Sequence, residues 1–317
     1  MKTTLNICSC FVSLTTALLS CAAFNLNAQV YTASEDYTLI STYLGQGNAS
    51  VNGGQVVQNN SCVPTSTANG LAYLEAYQTQ VLYNSDPFAV TPDNYTAVNA
   101  LQTAMGTSAA GTTTSGELNG LQNYLSTVNP GSSVTISAQA SLAEPASFFG
   151  AGVNAGISLQ NANPTAQFLA NALNANDAVQ LGILWGTISG GNSTNFTYNG
   201  GHFVSLDSLN LNNGSGTIGI LDPWGSGGVN AGTSASQISL SVSTITLTGL
   251  GSFLYVTYPI VAAGGPEPGE AGDTQFAGGA QAGIILVDAV ESVPEPATIG
   301  LVAIGLLAAL TIRRQRK

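Results

Sequence analysis

The order of hydrophobic and polar residues predicts helices in the first half of the chain and strands in the second. Apolar residues at helical spacing predict one helix that opens at Cys62 and three others, over 91–105, 118–125 and 165–173. Alternating or continuous apolar runs predict strands over 133–138, 178–185, 202–207, 217–221, 238–247 and 253–260. A short polar element over 31–44 precedes them, and a strand over 284–290 remains an open alternative. This order indicates an α+β fold, a helical half packed on an antiparallel β-sheet half.

The N-terminal segment has the features of an export signal. Lys2 supplies a positive start, residues 7–23 are mostly apolar or small, and a cleavage site precedes Gln29. We therefore predict a signal peptide over 1–28. Lipid attachment at Cys21 is the alternative, although Leu19 fits that signal poorly.

The C-terminal segment combines a short motif, an apolar run and a basic tail. Val293-Pro294-Glu295-Pro296 precedes an apolar run over 297–312, and four of the last five residues are Arg or Lys. As a helix this run spans about 24 Å, less than the ~30 Å hydrocarbon core of a bilayer, which suits a temporary anchor. An ordinary single-pass anchor is the alternative.

These three features together resemble the PEP-CTERM sorting signal of Gram-negative bacteria. The resemblance implies that exosortase, a membrane transpeptidase, recognises residues 293–317 and cuts the tail near the motif. It implies export, an inner-membrane anchor before processing, and then a place at the cell surface or in the extracellular polysaccharide matrix. Residues 263–292, rich in Gly, Ala and acidic residues, are predicted to be a flexible spacer before this signal.

The charges exclude one class of function. The chain has 317 residues, with 5 Lys and Arg against 16 Asp and Glu, a formal net charge of −11. No Lys or Arg occurs between Thr3 and Ile312. A nucleic-acid partner is excluded, because no cation is available to replace phosphate counterions.

Cysteine and histidine are rare outside the two ends. Cys8, Cys10 and Cys21 lie in the predicted signal peptide, which leaves Cys62 as the cysteine of the mature chain, and His202 is the one histidine. An intramolecular disulfide and a Cys/His zinc site are thereby excluded. We expect neither a metal nor a cofactor.

Cys62 falls at the predicted N-terminus of a helix. Ser61 can cap this helix, and Pro64 is tolerated in its first turn. The helix dipole and the free N–H groups there favour a thiolate and can hold an oxyanion. The side-chain amides of Gln55 and Gln58 lie shortly before it in the sequence.

His202 lies on the first strand of a predicted hairpin, whose turn spans residues 210–215. A hairpin centred on Asn212 and Asn213 places His202 opposite the region of Asp222, about 5 Å away. A register shift of one residue changes the face on which a side chain lies. Asp207 is the alternative partner, but its odd spacing from His202 puts it on the opposite face.

These residues resemble the papain-like cysteine peptidases, in particular the branch related to bacteriocin-processing peptidases. The similarity lies in Cys-x-Pro-Thr-Ser from Cys62, Gly-His-Phe-Val around His202, and Asp-Pro-Trp-Gly from Asp222. It implies a papain-like domain over 29–262 with a cleft between its halves. It also implies Cys62 as nucleophile, His202 as base, Asp222 as orienting residue and Gln58 (or Gln55) as the oxyanion amide. Val63 stands where that branch usually has Gly.

The resemblance implies a surface-sorted peptidase that hydrolyses peptide bonds in proteins. Two alternatives remain open at this point. One is a non-catalytic matrix protein whose Asn, Gly, Ser and Thr hydrogen-bond to extracellular polysaccharide. The other is a transpeptidase or amidase that uses the same triad.

Overall fold

The structure, a computed structural model, describes twelve parts of the chain: residues 29–34, 44–45, 60–78, 96–108, 111–128, 135–140, 150, 152–189, 195–224, 235–247, 251–257 and 284–293. Within them, the helices are α1 (Cys62–Gln78), α2 (Thr96–Met105), α3 (Thr114–Val128) and α4 (Ala166–Asn174). The strands are β1 (Val30–Ser34), β2 (Ile136–Ala140), β3 (Ile157–Asn161), β4 (Ala178–Ser189), β5 (Asn195–Asn212), β6 (Ser215–Asp222), β7 (Ser236–Leu247), β8 (Gly251–Thr257) and β9 (Ile284–Val293). The fold is therefore a mixture of helices and a mainly antiparallel sheet, as the sequence predicts.

The central strands form a sheet that closes on itself. β4 pairs antiparallel with both β5 and β9, and the strands from β5 to β9 pair in chain order. β1 pairs with residues 208–212 of β5, β2 pairs with the C-terminal half of β9, and β3 runs parallel to β2. Because β5 is long enough to pair with β4, β6 and β1, it connects the centre of the sheet to its edge.

Two hydrophobic clusters hold these elements together. The helix cluster joins α1, α2 and α3 to one face of the sheet through residues such as Leu71, Leu101, Leu118 and Leu221. The sheet cluster lies on the other face of the sheet, where strands β4–β8 pack on α4. Its members include Leu181, Val204, Leu206, Ile220, Val256, Leu169 and Leu173. Each fully buried aliphatic side chain contributes about 1.5–3 kcal/mol relative to its exposed state.

Helix α1 contacts the sheet through small polar residues. Ser205 on β5 donates from Oγ to the carbonyl of Ser66 at 3.0 Å, and Oγ lies 3.4 Å from Oε1 of Gln180 on β4. A Cβ at position 70 would lie too close to Nε2 of Gln180, so Gly70 permits this close approach without a shift of that amide. We call Ser66, Gly70, Gln180 and Ser205 the polar seam; the three with polar side chains are buried.

Most predicted elements appear with shifted ends. The helix predicted from Cys62 begins at that residue, and the helix predicted over 165–173 spans Ala166–Asn174 with Thr165 as its N-cap. The strand predicted after the glycine pair starts earlier, at Asn195, and the turn narrows to Asn213 and Gly214, which both have positive φ. Strand β3 has no counterpart among the predictions.

At the C-terminal end of the predicted spacer over 263–292, the structure has the strand that the sequence leaves open as an alternative over 284–290. Residues 284–293 form β9, which pairs along its length with β4 and with parts of β2 and β8. The apolar run Ile284-Ile285-Leu286-Val287 is rich in β-branched residues, which favour a strand. Residues 263–283 lie outside the described residues.

Candidate functional site

His202 and Asp222 are in direct contact, as the sequence predicts. Nε2 of His202 lies 2.8 Å from Oδ1 of Asp222, and the two side chains are 0 % and 4 % exposed. The pairing register of β5 and β6 differs from that of the predicted hairpin, because Asp207 forms a bulge in β5. Ser205 lies opposite Leu221, so His202 and Asp222 are diagonal rather than directly opposed neighbours.

The surroundings of Asp222 fix both its carboxylate and the imidazole. The backbone N–H of Trp224 also donates to Oδ1 of Asp222, at 2.9 Å, which closes a turn at the end of β6. A carboxylate only accepts hydrogen bonds, so Nε2 of His202 carries the proton of this contact. In the neutral ring, Nδ1 is then the nitrogen that can take up a proton.

Asp207, the alternative partner, points elsewhere. Its Oδ2 accepts a hydrogen bond from Nε2 of Gln237 on β7 at 2.8 Å, in an exposed setting. Its odd spacing from His202 already predicts the opposite face of the strand, and the register shift between Leu206 and Ser208 places Asp207 at a bulge. The geometry therefore favours Asp222 as the acid beside His202.

Cys62 is the first residue of α1. It is a free cysteine with 9 % of its surface exposed. The N–H of Thr65 donates to the carbonyl of Ser61 at 3.0 Å, which closes the first turn. The N–H groups of Cys62 and Val63 belong to the donors that a helix does not use internally, whereas Pro64 has none.

The first turns of α1 pack against the strands that carry the His202–Asp222 pair. Cys62 belongs to the helix cluster, which also contains Leu221, and Phe203 packs against that cluster. The hydrogen bond from Ser205 to Ser66 attaches the helix one turn after Cys62 to β5 three residues after His202. Helix α1 and strands β5 and β6, which carry His202 and Asp222, therefore pack together through the helix cluster.

One contact beside Cys62 was not predicted. Nε2 of Gln102, on α2, donates to Oγ of Ser61 at 2.7 Å, so this hydroxyl has a partner from another helix. No local pattern distinguishes Gln102 from the other polar residues of α2, and the contact depends on how α1 and α2 pack. The glutamines that the sequence does indicate, Gln55 and Gln58, lie outside the described residues.

The C-terminal segment matches a known family model. Residues 292–317 match the PEP-CTERM protein-sorting motif, as the sequence predicts. The chain has no detectable match among curated proteins. The predicted membrane segment over 297–312 lies outside the described residues, and no helix inside the described parts is long and apolar enough to cross a membrane. The matched motif makes this an exported protein that is anchored at its C-terminus until exosortase processes it.

Proposed function

We propose that this exported, exosortase-sorted protein is a cysteine peptidase with a papain-like catalytic arrangement. Cys62 is the nucleophile, His202 the general base and Asp222 the residue that orients the imidazole. The buried 2.8 Å contact between His202 and Asp222 carries the proposal, because it leaves Nδ1 as the nitrogen for proton exchange. The packing of the Cys62 helix on the same strands supports it.

The proposed reaction proceeds through a thioester. Nδ1 of His202 takes the proton of the Cys62 thiol, and the thiolate attacks the carbonyl carbon of a peptide bond. N–H groups of the first turn of α1 and the amide of Gln58 (or Gln55) hold the resulting oxyanion. His202 then protonates the leaving amine as the C–N bond breaks. Water hydrolyses the thioester and restores the thiol.

Burial gives the acid–base pair its proposed strength. Hydrogen bonds with a charged partner are stronger where water is excluded, and Asp222 has two donors on one oxygen. A carboxylate fixed in this way keeps the imidazole in one tautomer. The role of Asp222 is therefore orientation, and it does not itself take the proton.

A non-catalytic matrix protein is the second candidate, and the outer face of the sheet favours it. Thr32, Asn210, Thr217 and Ser241 lie opposite one another in a row across β1, β5, β6 and β7, and all four are exposed. A row of uncharged hydroxyl and amide groups suits hydrogen bonding to a neutral polysaccharide. In this alternative the His202–Asp222 pair serves stability.

Labelling of Cys62 separates the two candidates. We expect an epoxysuccinyl peptidase inhibitor at neutral pH to alkylate Cys62 much faster in the folded mature protein than in the unfolded chain. Cys62 is the mature chain's cysteine, so the label reports on this thiol alone. His202→Gln should remove the difference, and Asp207→Asn, a second acid in the same hairpin, should retain it. Labelling of the folded protein no faster than that of the unfolded chain would favour the matrix protein.

A further inference from the structure

Gln29, the residue after the predicted signal-peptide cleavage site, is held at the edge of the sheet. Its backbone N–H donates to Oδ1 of Asn213 at 3.0 Å, and its carbonyl accepts from the N–H of Asn213 at 2.9 Å. Its side-chain Oε1 lies 2.8 Å from the hydroxyl of Tyr31, which also lies 2.9 Å from Oε1 of Gln167, so the two amide oxygens share the one hydrogen of that hydroxyl. The main-chain nitrogen and the side-chain amide of Gln29 are therefore both fixed by neighbours.

Cleavage before Gln29 turns that nitrogen into an amine beside its own amide. An N-terminal glutamine can close a five-membered lactam: the α-nitrogen forms a bond to Cδ, the bond from Cδ to the amide nitrogen breaks, and ammonia leaves with the proton that the amine gives up. The step needs no oxidant or co-reactant. When the hydroxyl of Tyr31 donates to the oxygen on Cδ and not to Oε1 of Gln167, it makes that carbon more electrophilic.

The product keeps a counterpart for each of these contacts. A lactam nitrogen still carries one hydrogen for Oδ1 of Asn213, the lactam oxygen can accept from Tyr31, and the carbonyl of residue 29 is unchanged. Asn213 is in place for this because it occupies the left-handed position of the β5–β6 turn, with φ 52°.

Cyclisation would change the charge of the mature chain, because this chain has so few cations. Residues 29–312 contain no Lys or Arg, so the α-amine is the fixed cation that remains once the signal peptide and the basic tail are removed. Conversion to a lactam removes this charge and the free amine that aminopeptidases bind. The absence of Lys and Arg already removes the sites of trypsin-like proteases. Both features suit a protein that persists outside the cell.

We propose that the mature chain begins at Gln29 and that this residue cyclises to pyroglutamate at the surface, beside Tyr31 and Asn213. The proposal depends on cleavage after Ala28. It does not depend on the proposed peptidase activity, so the two can fail separately.

An amine-reactive reagent tests the proposal on the intact protein. The full-length chain is expressed in a Gram-negative host that carries exosortase, and the processed protein is isolated from the cell envelope and labelled while folded. Lys is absent from 29–312, so the reagent reads only the α-amine. We expect no label, an N-terminal peptide that starts at residue 29 and is lighter by one ammonia, and an amine that appears after pyroglutamyl aminopeptidase treatment. A labelled Gln29 overturns the cyclisation, and a chain that starts elsewhere, including a lipidated Cys21, overturns the proposal as a whole.

Two variants test the part played by the fold. Gln29→Ala keeps the amine and should be labelled completely, which controls for access of the reagent. Tyr31→Phe removes the hydroxyl that contacts the amide and should raise the labelled fraction of freshly exported protein several-fold. Equal labelling of Tyr31→Phe and the natural chain would contradict the role given to Tyr31.

Discussion

The helix cluster and the sheet cluster differ in what they bury. The sheet cluster is almost entirely aliphatic. The region around α1 also buries polar side chains, namely those of Ser61, Thr65, Ser66, Thr67, Asn69, Gln180 and Ser205. Aliphatic packing depends on volume and tolerates conservative exchange, whereas a buried polar group needs a particular partner. The difference indicates that the region around Cys62 is specified by geometry and that the sheet cluster mainly supplies stability.

Among the variants proposed below, removal of the imidazole should have the largest effect, and the property affected is the catalytic activity. His202→Gln still offers an amide N–H to Asp222, so the fold should survive, but it cannot act as a base. We expect peptide hydrolysis to fall by about 10²–10⁴-fold. The measurement is the rate of hydrolysis of an unstructured protein substrate, with thermal unfolding to confirm the fold. An unchanged rate in a folded variant would remove His202 from the mechanism.

A cavity in the sheet cluster should lower the stability of the protein and leave the reactivity of Cys62 unchanged. Leu206→Ala removes a fully buried side chain of β5 and should lower the free energy of unfolding by about 2–5 kcal/mol. The labelling rate of Cys62 in the folded fraction should not change. Leu206→Met, which conserves volume, should cost less than about 1.5 kcal/mol. Slower labelling in Leu206→Ala at a temperature where it is fully folded would show that the two clusters are not independent.

A substitution in the polar seam should have a smaller effect, and it should lower both the free energy of unfolding and the labelling rate of Cys62. Ser205→Ala removes the hydrogen bond to the carbonyl of Ser66 and should cost about 0.5–1.5 kcal/mol in the free energy of unfolding. Because this bond attaches α1 next to Cys62, the labelling rate should fall as well. Ser241→Ala, an exposed serine of β7, is the matched control and should stay within about 0.5 kcal/mol of the natural protein. Loss of stability without slower labelling would separate the seam from the site.

Local patterns predicted much of the site because its parts are local. Ser61 before Cys62 and the apolar spacing after it indicate the start of α1, and the hairpin that follows His202 leads to Asp222 within twenty residues. The bulge at Asp207 shifts the register. The long reach of a His side chain still permits the diagonal contact.

The parts that could not be predicted depend on distant partners. A strand over 284–290 stays an open alternative because its apolar run follows a stretch of Gly, Ala and Pro, and no local pattern indicates its pairing with β4, about a hundred residues earlier. Gln102 reaches Ser61 only because α1 packs on α2. Neither composition nor spacing carries this information.

Nitrogen NMR of His202 tests the pairing of thiol and imidazole most directly. The chain has one histidine, so ¹⁵N-labelled imidazole gives signals from this residue alone. We predict that Nε2 carries the proton in the folded protein and that Cys62→Ala shifts the Nδ1 resonance while the Nε2 resonance stays nearly unchanged. A spectrum that is the same with and without the thiol would show that Cys62 and His202 do not interact, and would contradict the proposed catalytic pair.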